Sequence, residues 1–314
     1  MSFRSGFVCI LGRPNAGKST LLNALVGEKI AIISPKPQTT RNRILGIINV
    51  PQQKGHDAGQ IVLIDTPGVH RPATSLGRKM MSEVHEALQG CQLILLIVDA
   101  KRQWTAEDGF VLDLLKRSGT PVFLLLNKID LLPDKRELLP LIAQFQTWHD
   151  FKEIIPISAL KKKGLDELLD RVLKTLPAGP RYFAEDQITD QPLRFMAAET
   201  IREHVLMNTR EEIPHAVGVI VDQYEEGKKL LRIAATIYCE RNSQKVILVG
   251  KAGQMLKKIG TAARLDFEKM VGKHVFLELF VKVQPGWRES RQFVEELDWR
   301  RQLEQIAGTS ERES

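Results

Sequence analysis

A glycine-rich segment near the start of the chain has the composition of a phosphate-binding loop. Residues 12–19 read GRPNAGKS, which fits G-x-x-x-x-G-K-[ST], and the segment follows an apolar run and precedes a helix-like stretch. Its glycines allow the backbone N–H groups to turn towards phosphate oxygens, and the helix adds the positive end of its dipole. The loop therefore predicts a nucleoside triphosphate site. The predicted contacts in this segment are Gly12, Asn15, Ala16, Gly17, Lys18, Ser19 and Thr20.

Two later segments carry groups that would complete a triphosphate site with magnesium. DTPG at 65–68 ends an apolar run, so Asp65 is placed to hold Mg²⁺ and the Gly68 N–H to sense the γ-phosphate. The polar segment PQTTRNR at 37–43 offers a hydroxyl, for which we predict Thr40, with Thr39 as the alternative. The predicted metal ligands are Ser19, Thr40 and Asp65, and the predicted catalytic groups are Lys18, Thr40 and Gly68.

The segment NKID at 127–130 predicts which base is bound. A carboxylate such as Asp130 accepts hydrogen bonds from guanine N1–H and the 2-amino group, whereas adenine offers neither donor. The segment ISALKKKG at 157–164 supplies a loop where Ser158 and the Ala159 N–H are expected to reach guanine O6. We predict that Asn127 and Lys128 also contact the nucleotide. Because these segments occur in order with the first two, the sequence predicts binding of GTP and GDP.

The elements that must position these groups alternate along the first 176 residues. Short apolar runs indicate buried strands, amphipathic stretches such as 106–116 and 166–176 indicate helices, and the alternating run 43–50 indicates an antiparallel edge strand. This pattern predicts an α/β domain whose mostly parallel sheet has helices on both faces. The predicted buried strands are 7–11, 61–64, 93–98, 122–126 and 154–157.

Beyond this domain the pattern changes. Residues 177–192 hold three prolines and no periodicity, which predicts a linker. Residues 193–314 then predict a second domain in the order α-β-β-α-β, an α+β module on a small sheet, followed by a C-terminal helix over 286–308. Phe293, Val294, Leu297 and Leu303 are its expected packing face.

A second glycine loop lies in the later domain, within VILVGKAGQMLKKIG at 246–260. It lacks G-K-[ST] but matches G-x-x-G opening a helix, the loop with which a KH domain clamps about four nucleotides of single-stranded RNA. Residues 241–273 carry eight basic and two acidic residues, a charge of +6, whereas residues 190–314 carry 20 basic and 19 acidic residues, or +1. We expect the apolar, strand-like run 246–249, Ile259 and Leu265 to be core. The predicted RNA contacts are Gly250, Lys251, Ala252, Gly253, Lys257 and Lys258.

Composition is compatible with this interpretation. The 314 residues carry a formal charge of +7, which weakly favours a polyanionic partner. Three isolated cysteines fit neither a disulfide framework nor a zinc site, so a reducing, cytoplasmic setting is expected. The N-terminal apolar run leads straight into the first glycine loop and predicts a strand instead of a secretory signal.

Together these motifs resemble the Era family of bacterial GTPases, with a translation-factor-type GTPase domain and a type II KH domain. The resemblance extends through DQPLRFMAAETIREH at 190–204 and LELFVKVQPGW at 277–287, so it covers nearly the whole chain. It implies a monomeric GTP-hydrolysing switch that binds the 3′ region of 16S ribosomal RNA and assists assembly of the small (30S) subunit. The resemblance also implies peripheral contact with the inner face of the cell membrane.

Hydrolysis is expected to be slow. Many switch GTPases place a water-orienting glutamine directly after the DTPG-type glycine, but this chain has Val69 there, followed by His70 as an alternative water-positioning group. The resemblance implies another route, in which Asn15 helps to bind K⁺.

Two other function classes remain open at this stage. A catalytic partner in tRNA modification would need a further catalytic domain or a reactive cysteine motif, and neither is visible in the sequence. A membrane-associated signalling GTPase would use the C-terminal domain to bind protein or lipid. Binding of single-stranded RNA separates these alternatives from an RNA-binding GTPase.

Overall fold

The computed structural model describes residues 3–52, 57–102, 106–211 and 213–301, and the chain divides into two units. The first unit comprises Met1–Ile33, Pro37–Arg71 and Met80–Asp190, and the second comprises Ser34–Lys36, Pro72–Lys79 and Gln191–Ser314. Among the described residues, every helix is too short or too polar to span a bilayer.

A six-stranded sheet in the order β2-β3-β1-β4-β5-β6 forms the centre of the first unit. Its strands are β1 (Arg4–Leu11), β2 (Ile44–Val50), β3 (Gly59–Asp65), β4 (Leu93–Asp99), β5 (Val122–Asn127) and β6 (Glu153–Pro156). All neighbours pair in parallel except β2, which runs antiparallel to β3 at the edge. The predicted mostly parallel sheet with an antiparallel edge strand is therefore confirmed.

Helices alternate with these strands because their apolar residues recur at helical spacing. They are α1 (Lys18–Val26), α2 (Ser75–Gln89), α3 (Ala106–Ser118), α4 (Leu138–Gln146) and α5 (Leu165–Thr175). In α5 the residues Leu165, Leu168 and Val172 are buried, as expected for one apolar stripe. The carboxyl ends of parallel strands meet at one edge of a sheet, which is where α/β folds bind ligands.

Residues 177–192 were predicted to form a linker between domains, but most of this segment is part of the first unit. Residues 177–190 belong to the first unit, where Gln60 accepts hydrogen bonds from the backbone N–H groups of Tyr182 and Phe183 at 2.8 and 3.0 Å. The Ile188 carbonyl also accepts from the Ile47 N–H at 2.9 Å. A segment rich in proline and lacking periodicity can still be fixed when side chains and a strand edge satisfy its backbone.

The second unit has a three-stranded sheet in the order β7-β8-β9, in which β7 and β8 pair antiparallel and β8 and β9 pair in parallel. Its helices and strands are α6 (Leu193–Asn208), β7 (Gly218–Glu226), β8 (Leu230–Cys239), α7 (Asn242–Val249), α8 (Gln254–Val271), β9 (His274–Val283) and α9 (Arg291–Glu296). The predicted order α-β-β-α-β is present as α6, β7, β8, α8 and β9, and α7 is an additional helix.

The run 246–249 was predicted to be strand-like core, and this prediction is wrong. It lies in α7, where Leu248 is fully buried but Val246 and Ile247 are 70% and 50% exposed. Consecutive residues of a helix point in different directions, so four adjacent apolar residues cannot all face the core. Of the other two predicted core positions, Ile259 is buried and Leu265 is 44% exposed.

The predicted C-terminal helix starts later than expected and is interrupted within the described residues. Helix α9 covers Arg291–Glu296, and its N-cap is Ser290, whose hydroxyl accepts from the Phe293 N–H. Residues 297 and 298 are not helical, residues 299–301 are helical again, and 302–308 lie outside the described residues. Phe293 and Val294 are buried as expected, whereas Leu297 is partly exposed and Leu303 lies outside the described residues.

Candidate nucleotide site and nucleic-acid groove

The phosphate-binding loop lies between β1 and α1, and its lysine is held in place. The Lys18 ammonium donates to the carbonyls of Gly12 and Arg13 at 3.2 and 3.0 Å, and burial lowers the pKa of Lys18 while the charge of Asp65 opposes this. Gly17 has φ 105°, and a Cβ on it would lie 2.3 Å from the Asn127 amide nitrogen. Both the backbone conformation and the space therefore require glycine at this position.

Three predicted metal ligands lie together next to this loop. The Ser19 hydroxyl donates to Asp65 Oδ2 at 2.7 Å, and the Thr40 hydroxyl lies 2.8 Å from Ser19 Oγ and 3.3 Å from the same carboxylate oxygen. Thr40 is buried and Thr39 is only partly buried, so of the two threonines it is Thr40 that lies beside Asp65.

The donor set fits Mg²⁺, which prefers oxygen ligands. Asp65 is fully buried, and its Oδ1 atom has no hydrogen-bond partner among the described residues. A buried carboxylate oxygen without a partner is costly unless a cation neutralises it. The arrangement therefore has one negative charge and two hydroxyls in position for a hard divalent ion.

Burial raises the pKa of Asp65 to about 6, against the lowering effects of Lys18, Ser19, Thr40 and the Thr66 N–H. This pKa exceeds the value of about 3.9 for an unfolded chain, so the folded state binds the proton more tightly. The contribution of Asp65 to stability is therefore full below pH ~4 and is lost as the pH rises through ~6.

We expect nucleotide-free and magnesium-free protein to lose up to about 3 kcal/mol of unfolding free energy from Asp65 between pH ~4 and ~7. Urea unfolding of the wild type and Asp65→Asn across this range measures the effect as the difference between the two profiles. Added Mg²⁺ should recover stability at neutral pH in the wild type only. Parallel pH profiles for the two proteins would contradict the assignment.

The predicted base-binding segments converge at the ends of β5 and β6. The Ser158 hydroxyl donates to Asp130 Oδ1 at 2.5 Å, which fixes the carboxylate that is predicted to contact guanine. Asn127 is buried, and its amide donates to the Ala16 carbonyl at 2.8 Å. Asn127 thus ties the base-binding side of the site to the phosphate loop.

The Ala159 N–H, which is predicted to reach guanine O6, donates to Asn127 Oδ1 at 3.0 Å in this structure. Asn127 is the last residue of the buried strand β5, and its side chain satisfies this buried amide. The Ala159 backbone therefore holds Asn127 in position in this structure.

The sequence interpretation missed Asp99 and Pro14. Asp99 Oδ2 accepts from Lys128 Nζ at 2.8 Å, and the same ammonium donates to the Asn15 carbonyl at 2.9 Å. Asp99 is the last residue of β4, so a polar side chain at the end of a parallel strand was the available signal. Gly68 lies so close to Pro14 that an added Cβ would be only 2.7 Å from the proline. The DTPG segment therefore packs against the phosphate loop.

Val69 stands where many switch GTPases have a water-orienting glutamine, and His70 is the predicted alternative; both contact nearby backbone carbonyls. Val69 is fully buried and its N–H donates to the Gly12 carbonyl at 3.2 Å. The His70 Nδ1 atom lies 2.8 Å from the Gly68 carbonyl, so one ring nitrogen is engaged by the adjacent backbone. The structure thus holds Val69 away from solvent and folds His70 back on its own segment.

In the second unit the G-x-x-G loop joins α7 to α8, and its two glycines have different roles. Gly250 has φ 72° and ψ 176°, a glycine-specific conformation, and a Cβ there would lie 2.7 Å from Met255 Cβ. Gly253 has φ 76° with open space around it. Gly250 therefore shapes the loop, whereas Gly253 leaves room for a ligand to approach. The exposed residues Lys251 and Ala252 lie between them.

A groove of about 370 Å³ follows the loop between α8 and β9. Lys257 lines it and is exposed, whereas Lys258, also exposed, is not among its lining residues. The other lining residues are Gly253, Leu256, Gly260, Thr261, Arg264, Leu277 and Leu279. Apolar walls with two basic side chains suit bases inside and phosphates at the rim.

Comparisons with known proteins agree with this geometry. Residues 7–128 match the family described as "50S ribosome-binding GTPase", and residues 212–288 match the KH domain family. The chain is 50% identical over 301 residues to GTPase Era of Ruminiclostridium cellulolyticum, which covers 96% of this chain and 99% of that protein. It is 48% identical over 299 residues to GTPase Era of Syntrophus aciditrophicus, covering 95% of each.

Two solved structures resemble the whole chain. One is an Aquifex aeolicus Era variant bound to GDP·AlF₄⁻, with a TM-score of 0.89 and 42% identity, covering 94% of this chain and 99% of that one. The other is Era in complex with MgGDPNP and nucleotides 1506–1542 of 16S ribosomal RNA, with a TM-score of 0.90 and 42% identity, covering 94% and 98%.

Proposed function

Because the chain belongs to the Era family of GTPases, we propose that its KH domain binds the 3′ region of 16S ribosomal RNA and that GTP controls this binding during assembly of the small ribosomal subunit. The enzyme activity is hydrolysis of GTP to GDP and phosphate. The RNA proposal rests mainly on the environment of Gly253. Its backbone is in the left-handed conformation, the space around it is open to a ligand, and it lies at the start of a basic helix.

The residues of the GTPase site suggest how hydrolysis proceeds. Lys18 and the loop N–H groups stabilise charge on the transferring phosphoryl group, and Asp130 selects guanine. The intrinsic rate is slow because Val69 has no polar group to orient water. Loss of the γ-phosphate releases the segments around Thr40 and Gly68.

Magnesium would be held by Ser19, Thr40 and Asp65 and would neutralise charge on the phosphates. Asn15 is proposed to help bind K⁺ in addition. The side-chain amide oxygen of Asn15 is a ligand type that suits hard cations. We expect hydrolysis to be several-fold faster in K⁺ than in Na⁺, and equal rates in the two salts would contradict this role.

Replacing Gly253 by aspartate is expected to weaken binding of single-stranded RNA by about ten-fold or more, because the carboxylate repels the approaching phosphates. Aspartate tolerates the left-handed conformation better than most residues, and Gly253 is the N-cap of α8, a position where aspartate supports a helix. Fluorescence anisotropy with a labelled RNA matching the 3′ end of 16S ribosomal RNA gives the affinity.

Gly272→Asp is the matched control for this variant. Gly272 caps the other end of α8, also with a left-handed φ of 66° and open space around it. The control adds the same charge and similar strain but should bind RNA as the wild type does. Equal affinity of both variants and the wild type would exclude the loop as an RNA contact.

The same assay tests the alternative of a membrane-associated signalling GTPase. Anionic lipid vesicles and RNA are offered to the protein in parallel, and the protein is expected to remain with RNA as a monomer. Binding to vesicles that survives Gly253→Asp, without measurable affinity for RNA, would favour the membrane alternative. Crosslinking in cells should enrich 16S fragments, and reads spread evenly over cellular RNA would overturn the ribosomal assignment.

A further inference from the structure

A cavity of about 450 Å³ lies beside the phosphate loop in the first unit. Its lining comes from residues 12–16 of the loop, from residues 96–102 at the end of β4, and from helices α3 and α4 with the segment that follows α4. The volume falls within the range of roughly 300–1,000 Å³ that small-molecule sites occupy. The cavity is therefore large enough to hold a ligand of its own.

This cavity shares only loop residues with the predicted nucleotide contacts. Its described lining residues include none from 17–20, 127–130 or 157–164, the segments that carry the remaining phosphate, magnesium and guanine contacts. Arg13 shows how the loop serves both sites. Its guanidinium pairs with Asp108 of α3 at 2.9 Å, and both side chains line the cavity, whereas its carbonyl accepts from the Lys18 ammonium at 3.0 Å. The loop is thus a wall common to two sites.

Aromatic and aliphatic side chains form the apolar part of the cavity. Phe145 and Trp148 meet edge to face, with ring centres 5.1 Å apart and an angle of 74° between the planes. Val111 and Phe145 are buried, and Leu141 and Trp148 are partly buried. Aromatic rings pair favourably in offset or edge-on arrangements, and a flat ring that enters such a space gains dispersion contacts. These walls therefore favour an aromatic ligand.

The charged lining residues favour a ligand with a negative charge. Asp99 and Asp108 are each paired with a basic side chain, and Asp99 accepts from Lys128 at 2.8 Å. Lys101 and Arg102 are exposed. Arg102 lies 3.9 Å from Asp99, and Lys101 has no acidic partner within the described part of the chain. The charge that remains at the cavity is positive, and charge complementarity therefore selects an anion.

The cavity wall also holds groups that hold the nucleotide site together. The Lys128 ammonium donates to the Asn15 carbonyl at 2.9 Å and to Asp99, and both of these residues line the cavity. A ligand packed against this wall restricts its movement and keeps Lys18 and Lys128 on their backbone partners. Ligand binding is then expected to favour the conformation that retains GDP, and GDP to favour the ligand by the same factor.

We propose that the cavity beside the phosphate loop is a second small-molecule site, which binds a small aromatic carboxylate and slows the release of GDP. The ring lies against Phe145 and Trp148, and the carboxylate lies near Lys101 and Arg102. The site is independent of the RNA-binding function proposed above, because every described residue that lines it belongs to the first unit.

A fluorescent aromatic anion tests the site directly. Full-length protein loaded with GDP and Mg²⁺ is titrated with 8-anilinonaphthalene-1-sulfonate, and 2-naphthoate is then added to displace it. The neutral 2-naphthamide has the same rings without the charge and should displace the probe about five-fold less well, the effect of an exposed charge pair. Equal displacement by the acid and the amide would contradict the proposed role of the two basic residues.

Two variants locate the probe in the cavity. Leu141→Trp places a larger side chain in the cavity and should weaken probe binding by at least about ten-fold, because the space is then occupied. Lys101→Glu reverses the exposed charge and should weaken it about five-fold. The matched controls are Leu139→Trp on the exposed side of α4, where Leu139 is 68% exposed, and Lys116→Glu at the exposed end of α3.

Both controls should bind the probe within about two-fold of the wild type, as for most surface substitutions. Thermal unfolding of each variant shows that it is folded, and the exposed Lys101→Glu keeps the test valid where Leu141→Trp does not fold. Probe affinity that is unchanged in the folded cavity variants, or lowered equally in the controls, would place the probe elsewhere and overturn the site.

Release of radiolabelled GDP measures the link to the nucleotide. Saturating 2-naphthoate is expected to slow GDP release from the wild type by about three- to ten-fold, a typical coupling between two sites. Lys101→Glu should need a higher concentration of 2-naphthoate for the same effect. An unchanged release rate would overturn the coupling. Loss of probe binding when GDP is added to nucleotide-free protein would assign the probe to the nucleotide site and reject the proposal.

Discussion

Lys18→Ala is expected to slow single-turnover hydrolysis of GTP by at least about a hundred-fold, the loss typical of removing one preorganised group that stabilises transition-state charge. The Lys18 ammonium is buried and fixed by two loop carbonyls, so its position does not have to be established during the reaction. The rate is measured with enzyme in excess over GTP, which separates the chemical step from product release.

The same substitution should also change the pKa of Asp65. Lys18 lowers the pKa of this carboxyl, so its removal is expected to raise the pKa above the wild-type value of about 6. Magnesium should then bind less tightly near neutral pH, and higher pH should restore part of the magnesium affinity but not the rate. A pH-independent magnesium affinity in the variant would contradict this coupling.

Lys116→Ala is the control for charge. Lys116 is an exposed lysine in the last turn of α3, and its removal changes the net charge of the protein equally. Its hydrolysis rate should stay within about two-fold of the wild type, as for most surface substitutions. A comparable loss in both variants would point to a general electrostatic effect and not to a phosphate contact.

The first unit could be predicted well because local pattern and chemistry agree there. Each buried strand is a nearly continuous apolar run, and every functional segment except 37–43 follows such a run, which is what a parallel sheet requires. Thr40 lies in the loop before β2, whereas the grouping of Ser19 and Asp65 follows from this topology. The choice between Thr39 and Thr40 does not, because both have the same chemistry and only the path of the loop distinguishes them.

Contacts that satisfy buried backbone groups were harder to predict. The Asn127 side chain accepts a hydrogen bond from the Ala159 N–H, and the Gln60 side chain accepts from the N–H groups of residues 182 and 183. In each case the two partners are far apart in the sequence. Sequence periodicity does not predict such pairs, because they depend on which buried N–H groups still lack a hydrogen-bond partner once the strands have formed. Asp99 could have been found, because it ends a strand as Asp65 does.

In the second unit the error at 246–249 has a specific cause. Four apolar residues in a row fit a buried strand and a short helix equally well. The deciding feature is Gln244, whose side chain accepts from the backbone N–H groups of Glu240 and Arg241 and so starts α7. With α7 helical, the G-x-x-G loop connects two helices, and Gly250 ends the first while Gly253 begins the second.

Asp130→Asn is expected to change the nucleotide that the protein binds. A carboxylate accepts from both guanine N1–H and the 2-amino group, whereas an amide presents one acceptor and one donor, so the 2-amino group meets a donor. Discrimination that rests on such polar matching reaches about 10⁴, and we expect GTP affinity to fall by at least about a thousand-fold. Xanthosine triphosphate, which has an oxygen in place of the 2-amino group, should bind the variant better than GTP does.

The geometry makes this substitution a clean test. Ser158 donates to Asp130 Oδ1, and the oxygen of an asparagine can accept the same hydrogen bond, so the loop should keep its conformation. Asp134→Asn is the matched control, since Asp134 accepts from the Arg136 N–H in the segment that follows and no base contact is predicted for it. Titration with fluorescent GTP and xanthosine triphosphate gives both affinities for all three proteins. GTP affinity of Asp130→Asn within ten-fold of the wild type would mean that another residue reads the base, and the assignment of NKID to guanine recognition would have to be abandoned.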